Sequence, residues 1–174
     1  MHISKKEEEA ERLLAEFGGL ECFVPKRCDV RTRCNGKKVK VYVPVLPSYV
    51  FVRASYQEIV NFKKVKMNDL GFVTWRSVAE GVRYLVVEDD QMENFMRVSR
   101  DYESNPVYMK PDEIDIKKGT RVKIHGGSLD GVVGAFMKVK GFRSRRLVIL
   151  LDGVQAITAE VAPDVVEILS EKDV

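Results

Sequence analysis

Apolar and polar positions follow two different regimes along this chain. Up to residue 104 helical and strand-like periods alternate, whereas beyond residue 115 only strand-like periods occur. Ala10, Leu13, Leu14 and Phe17 recur at helical spacing behind Ser4 and Glu7, an S-x-x-E pair that predicts a capping box, and Gly18-Gly19 ends that helix. Leu20 to Asp29 and Lys37 to Val43 read as strands joined by the basic loop Val30 to Lys38, with Asn35-Gly36 as a hairpin-type turn. In PVLPSYVFVR, Pro44 and Pro47 delay the next strand to about Tyr49. Alternation then puts Tyr49 and Phe51 on one face and Val50 and Val52 on the other. Both faces are apolar, which predicts a central strand covered on two sides, by helices on one and by core or a partner on the other. Ser55 and Glu58 repeat the capping box ahead of Ile59, Phe62 and Val65, the apolar stripe of a second helix that carries Lys63, Lys64 and Lys66 outside it. Gly71 to Trp75 reads as a short strand. Glu88 to Arg100 reads as a third helix, with acids in its first turn, arginines in its last, and Met92, Phe95 and Met96 on one face.

The period is lost over Asp101 to Asp115, a charged stretch with two prolines, so residues 105–115 are expected to be a mobile linker between domains at 1–104 and 116–174. Short strands follow around Val122 and Ile124 and over Val132 to Val139, Leu147 to Leu151, Ala156 to Val161 and Val165 to Leu169. Five such strands suit a small closed barrel. The expected fold class is α+β: a mostly antiparallel sheet with helices, then a small all-β barrel.

Composition narrows the chemistry. A formal net charge of +3 in 174 residues does not mark a strongly basic nucleic-acid binder, and no apolar run is long enough to span a bilayer. Cys22, Cys28 and Cys34 match neither a paired-cysteine zinc site nor a disulfide framework, so a reducing cytoplasm is the expected location. His2 and His125 have no carboxylate at a telling spacing, and Glu88, Asp89 and Asp90 read as complement to a helix dipole. The expectation is a protein that is not an enzyme and has no metal site and no cofactor. Phe142, between Gly141 and Arg143 and close to Arg145, has the composition of an anchor for a partner, as do the flanking loops Gly126 to Asp130 and Gly141 to Arg146.

Lys117 to Lys140, KKGTRVKIHGGSLDGVVGAFMKVK, resembles a KOW motif, with Gly119 before a strand, a Gly126-Gly127 turn, and Gly131 where close backbone approach is expected. With PVLPSYVFVR and the element order before it, nearly the whole chain resembles the NusG family of transcription elongation factors. The resemblance implies an NGN-type domain that docks on the clamp helices of RNA polymerase, and an SH3-like KOW barrel that recruits further partners. Matched position by position, it implies clamp docking by Leu46, Tyr49 and Phe51 together with Met92, Phe95 and Met96. Lys5, Lys6, Lys63, Lys64 and Lys66 match regions that face the non-template DNA strand in specialised relatives; nascent RNA is the other nucleic-acid candidate. Phe142, Arg143 and Arg145 would contact the KOW partner, for which Rho and a small-subunit ribosomal protein stay open. Two departures stand out. Family members begin with a strand carrying a Trp-Tyr pair where this chain reads Met1-His2-Ile3, and Ser48 stands where housekeeping members commonly carry Gly. With the basic hairpin, they point to a specialised paralogue that antiterminates or suppresses pausing at particular operons; the alternative is a ribosome- or RNA-associated KOW protein.

Overall fold

The protein is described from a computed structural model, which covers residues 7–18, 20–66, 71–77 and 81–170. It is an α+β protein in two compact units, Met1–Val86 and Val87–Val174.

In the first unit the expected elements form, but among the described residues they make separate ladders rather than one sheet. Helix α1 (Glu7–Phe17) precedes β1 (Glu21–Phe23), β2 (Lys26–Thr32), β3 (Lys38–Pro44), β4 (Phe51–Arg53), α2 (Tyr56–Lys66), β5 (Thr74–Ser77) and β6 (Gly81–Tyr84). β1 pairs with β4, β2 with β3, and β5 with β6, each antiparallel and each two-stranded. The strand expected to be central in a sheet is therefore β4, three residues long and paired on one side among the described residues. Pro44 and Pro47 explain the shortness, since they keep the chain turning until Val50. The run Leu20 to Asp29 splits into β1 and β2 at Val24-Pro25, where proline has no N–H to give a ladder.

The period-two reading of β4 holds. Val50 is buried with Ala10, Leu14, Leu20, Val24 and Phe62, and Val52 packs on that cluster with Leu13, Phe17 and Ile59. Phe17 meets Phe62 edge-on with centroids 5.3 Å apart, which closes α1 on α2. The Ser55 cap is complete: Ser55 N and Oγ donate to Glu58 Oε2 at 2.8 and 2.6 Å, and Glu58 N donates back to Ser55 Oγ at 3.4 Å. Val65, expected in the buried stripe, is exposed, because the last turn of α2 runs past the core. Ser4 and the start of its expected cap lie outside the described residues.

The second unit holds α3 (Asp89–Arg100), β7 (Val107–Met109), β8 (Thr120–Ile124), β9 (Val133–Lys138), β10 (Arg145–Leu151), β11 (Gln155–Ala159) and β12 (Val166–Ile168). The strands make one antiparallel sheet in the order β12-β8-β9-β10-β11-β7. Its first strand corrects the expected linker. Residues 105–115 carry β7, which pairs with β11, and Ile114, which is buried with Met137, Val139, Val148 and Ala156. α3 packs on β10 and β11, so the division falls before this helix, at Val86, rather than after it. The cause is apolar surface that the composition concealed: Tyr108 of β7 meets Phe95 edge-on at 6.2 Å, and its hydroxyl shares a 2.6 Å hydrogen bond with Ser99.

Gly131 has φ +79° and no tight neighbour, so its demand is for a left-handed backbone rather than the close approach expected of it. Close approach falls on Gly134 instead, where a Cβ would lie 2.6 Å from Ile149 Cδ1 and 2.7 Å from the Val148 carbonyl.

Candidate functional site

With Val50 and Val52 committed to the helices, β4 turns Phe51 to its other side, and Tyr49 precedes it on that side. Leu46, Tyr49 and Phe51 are all half-buried, and Phe51 is extended by Phe23 across the β1–β4 ladder, with ring centroids 6.5 Å apart. The result is an aromatic face on a strand whose opposite face is fixed in the core. Phe23 had gone unremarked in the sequence, although its register opposite Phe51 follows once β1 is recognised.

The turn that leads into this face is strained and braced. Tyr49 N donates to the Leu46 carbonyl at 3.2 Å, and Ser48 between them sits at φ +70°, in the left-handed region that a Cβ disfavours. Glycine would enter that conformation without steric cost, which is the physical content of the departure at Ser48. A buried carboxylate holds the turn from the side: Glu7 Oε1 accepts the Ser48 N–H at 2.6 Å. Glu7, expected as the far end of a cap, thus ties the first turn of α1 to the loop before β4.

The other three expected docking residues belong to the second unit and do not share one environment. Phe95 is fully buried against Tyr108, which corrects its assignment: it is core. Met92 and Met96 are half-buried, one turn apart on α3. The same helix is bonded to the loop between β8 and β9. Arg97 donates to the carbonyls of Ser128, at 3.4 Å, and Asp130; Ser128 Oγ donates to Asp101 Oδ2 at 2.8 Å; and Val133 N donates to Asn94 Oδ1 at 3.2 Å. Loop 126–130, expected to carry partner contacts, is bonded to α3 of its own unit, with Gly126, Gly127, Ser128 and Asp130 exposed. Burial pushes the Tyr108 phenol above its usual pKa, with the Ser99 hydrogen bond acting in the opposite direction.

Among the expected nucleic-acid contacts, Lys64 and Lys66 are exposed at the end of α2, and Lys5 and Lys6 lie outside the described residues. Lys63 is half-buried, its ammonium 4.7 Å from the centroid of Phe72. Phe72 stacks with Tyr56 at 5.8 Å and meets Tyr84 at 4.7 Å, with Tyr56 and Tyr84 both about half-exposed. The hydrogen bond that the Tyr84 phenol shares with Tyr56 holds its proton and raises the pKa of Tyr84. This aromatic group under Lys63 has no local signature in the sequence, since its members are spread over 28 residues, from Tyr56 to Tyr84.

In the second unit Arg143 and Arg145 are exposed as expected, and the Lys138 ammonium donates to the Arg143 carbonyl. Phe142 is not an open anchor: it packs on the core around Ile114, and its ring lies under the Arg146 guanidinium at 4.4 Å. Arg146 itself is only 1 % exposed. Its Nε donates to Thr158 Oγ1 at 3.0 Å and its Nη2 to the Asn105 carbonyl at 2.6 Å, with Glu160 3.6 Å away. Burial pulls its pKa down, and Glu160 opposes that pull. His125 does have a carboxylate partner, Glu167, because β12 pairs beside β8 and brings together residues 42 apart. Both side chains are more than half exposed, and no cluster of three His, Cys, Asp or Glu able to hold a metal occurs among the described residues. No described helix is long and apolar enough to cross a membrane.

A family model described as "Transcription termination factor nusG" matches residues 1–116. That match spans the first unit together with α3 and β7. No curated protein matches the chain.

Proposed function

Because the chain belongs to the NusG family of transcription factors, we propose that it is an elongation regulator that binds RNA polymerase and antiterminates or suppresses pausing at particular operons. The observation that carries this reading is the β4 strand: Val50 and Val52 are held in the helical core, so Leu46, Tyr49 and Phe51, with Phe23, form a preorganised aromatic face for a helix tip of the polymerase. Met92 and Met96 supply adaptable surface to the same partner. Phe95 supports them from below. The Tyr56, Phe72 and Tyr84 rings with Lys63 against them, and the exposed Lys64 and Lys66 of the same helix, suit a weak single-strand contact, in which bases stack and phosphates meet ammonium groups. Arg143 and Arg145 are the open positions for a partner of a KOW-type second domain, which remains part of the proposal, as does a cytoplasmic location.

The test is Tyr49→Ala. Loss of one central anchor costs about 2 kcal/mol of binding, roughly thirtyfold in affinity, against a melting temperature close to the parent's. Binding to purified core RNA polymerase and read-through of a terminator in a reconstituted assay are measured together. A variant that melts normally, binds polymerase as tightly as the parent and sediments with ribosomal subunits would move the assignment to a ribosome-associated protein.

A further inference from the structure

The β2–β3 hairpin takes no part in the docking face, and its charge is distributed unevenly. At its base the cations are matched: Lys26 Nζ lies 2.7 Å from Glu11 Oε2, and Arg27 Nε lies 3.3 Å from Asp29 Oδ1. Toward the tip the matching stops. Residues 31–40, RTRCNGKKVK, contain five cations and no acid, and Arg31, Arg33, Lys37, Lys38 and Lys40 are all exposed, without an acidic partner among the described residues. Uncompensated like charge at this density costs stability by self-repulsion, and a polyanion removes that cost.

The shape says which polyanion. Each strand has seven residues, so the ribbon is about 23 Å long, and it pairs with no further strand among the described residues. Its tip is a closed turn: Arg33 N donates to the Lys37 carbonyl at 2.9 Å, Gly36 N to the Arg33 carbonyl at 2.8 Å, and Lys37 N to Asn35 Oδ1 at 3.1 Å. The register sets Arg31 opposite Val39 on one face and Lys38 opposite Thr32 on the other, with Lys40 two residues on from Lys38. Arg33 and Lys37 flank the turn. Cations on both faces of a narrow ribbon suit a ligand with two walls of phosphate, and the major groove of B-form DNA, about 12 Å wide, admits a two-stranded ribbon. A single strand would call for successive stacking rings, and residues 31–40 have none; the exposed ring of the ribbon, Tyr42, lies opposite Cys28 toward its base. The major groove of duplex RNA is too narrow.

We infer that the β2–β3 hairpin binds duplex DNA, its tip entering the major groove and Arg31, Arg33, Lys37, Lys38 and Lys40 contacting the backbone phosphates of both walls. The contact is independent of base sequence. It goes beyond the polymerase-docking reading and stands apart from it, since the test leaves polymerase out.

The full chain is titrated by fluorescence anisotropy against a duplex DNA of about 20 base pairs, a single strand of the same sequence and the matching duplex RNA, over a range of salt. Five phosphate contacts give a log–log salt slope of about −4.5, so affinity for the DNA duplex falls roughly 500-fold between about 50 and about 200 mM salt. The variant Arg31→Gln, Arg33→Gln, Lys37→Gln, Lys38→Gln, Lys40→Gln is expected to lose most of that slope, whereas Lys117→Gln, Lys118→Gln, Lys140→Gln keeps it. Equal slopes for the parent and the five-site variant, an equal loss in the distant variant, or tighter binding of single strand or RNA would each overturn the inference. The unaltered chain provides a reading free of any folding defect. Cys34 lies in the exposed turn, while burial and Glu11 raise the pKa of Cys22 and keep it a slow internal reference. Saturating duplex should slow maleimide alkylation of Cys34 several-fold relative to Cys22; an unchanged ratio overturns the inference, and an acidic protein partner is then the remaining occupant.

Discussion

The two units solve the burial problem in opposite ways. In the second, one sheet of six strands shares a core, and every residue of β11 is buried. In the first, the strands among the described residues form three separate two-stranded ladders, and the helices and the β1–β4 ladder share a small cluster of six buried residues. The consequence shows at the surface: six of the eight exposed large hydrophobics among the described residues, Val30, Tyr42, Tyr56, Val65, Tyr84 and Val86, belong to the first unit. A continuous sheet satisfies its backbone and apolar faces internally, whereas short ladders leave edges, rings and cations outward. The first unit thus leaves more apolar and cationic surface outward, and the second closes its core and also holds α3.

If that contrast is right, the largest single loss should come from the interior of the second unit and should stay there. Arg146→Ala leaves the buried Thr158 hydroxyl without its donor, takes away the bond to the Asn105 carbonyl and the neighbour of Glu160, and removes the cation above Phe142. Breaking such a buried charged group costs about 3 kcal/mol. Trp75, the one tryptophan, lies in β5 and reports on the first unit, while far-UV circular dichroism reports on both. The expected urea profile keeps the Trp75 midpoint and moves the dichroism midpoint down. Movement of both together would mean that the units do not unfold independently.

A smaller loss in the same unit tests packing rather than charge. Gly134→Ala puts a methyl within 2.6 Å of Ile149 and 2.7 Å of the Val148 carbonyl, and overpacking of this kind costs about 1–3 kcal/mol. Gly36→Ala meets no atom within 4 Å, so at Gly36 only the φ of +77° opposes the change. If the two substitutions destabilise equally, the dense interior ascribed to the second unit is not what sets its stability.

How far the sequence disclosed this arrangement depended on the range of each interaction. The Ser55–Glu58 cap, the turn of the hairpin and the facing of Val50 and Val52 are set by residues within a few positions, and all were legible. The docking of α3 was not. Its amphipathic face declared that something covers it, but Phe95 meets Tyr108 through a strand hidden in a charged, proline-containing stretch. Arg146 was illegible for a similar reason. Within FRSRR it looks like one more solvated cation, and only the partners brought by β11 and by Asn105 make burial tolerable. His125 with Glu167 likewise depends on strand pairing over a long separation, and the ring group of Tyr56, Phe72 and Tyr84 on the meeting of helix α2 with the β5–β6 hairpin.

The first unit yields a gain in place of a loss. Ser48→Gly removes a left-handed side-chain penalty of about 1–2 kcal/mol and adds about 0.5–1 kcal/mol of backbone entropy cost, leaving a net stabilisation of about 0.5 kcal/mol. The Glu7 bond should survive, since it uses the backbone N–H. A rise in the Trp75-monitored midpoint with polymerase affinity unchanged is expected. A fall would show that the serine side chain is needed in the turn.

The smallest effect is confined to the first turn of α2 and reads out in pH. Two hydrogen bonds, from the Ser55 hydroxyl first and its backbone N–H second, hold the Glu58 carboxyl below its usual pKa. The unfolded chain has neither bond, so it takes up a proton at a higher pH than the folded chain does. Stability from this group is therefore fully present above the unfolded value of about 4.3, and it is lost as pH falls through the lower, folded value. Glu58→Gln keeps an acceptor oxygen and abolishes the titration, while every other carboxylate titrates alike in both proteins and cancels in their difference. The parent's advantage in the Trp75-monitored midpoint should be constant near neutrality and shrink only below about pH 4.3. A difference that stays flat into acid would show that the cap acts through geometry alone, and a matching change in the second unit would remove the independence on which the contrast rests.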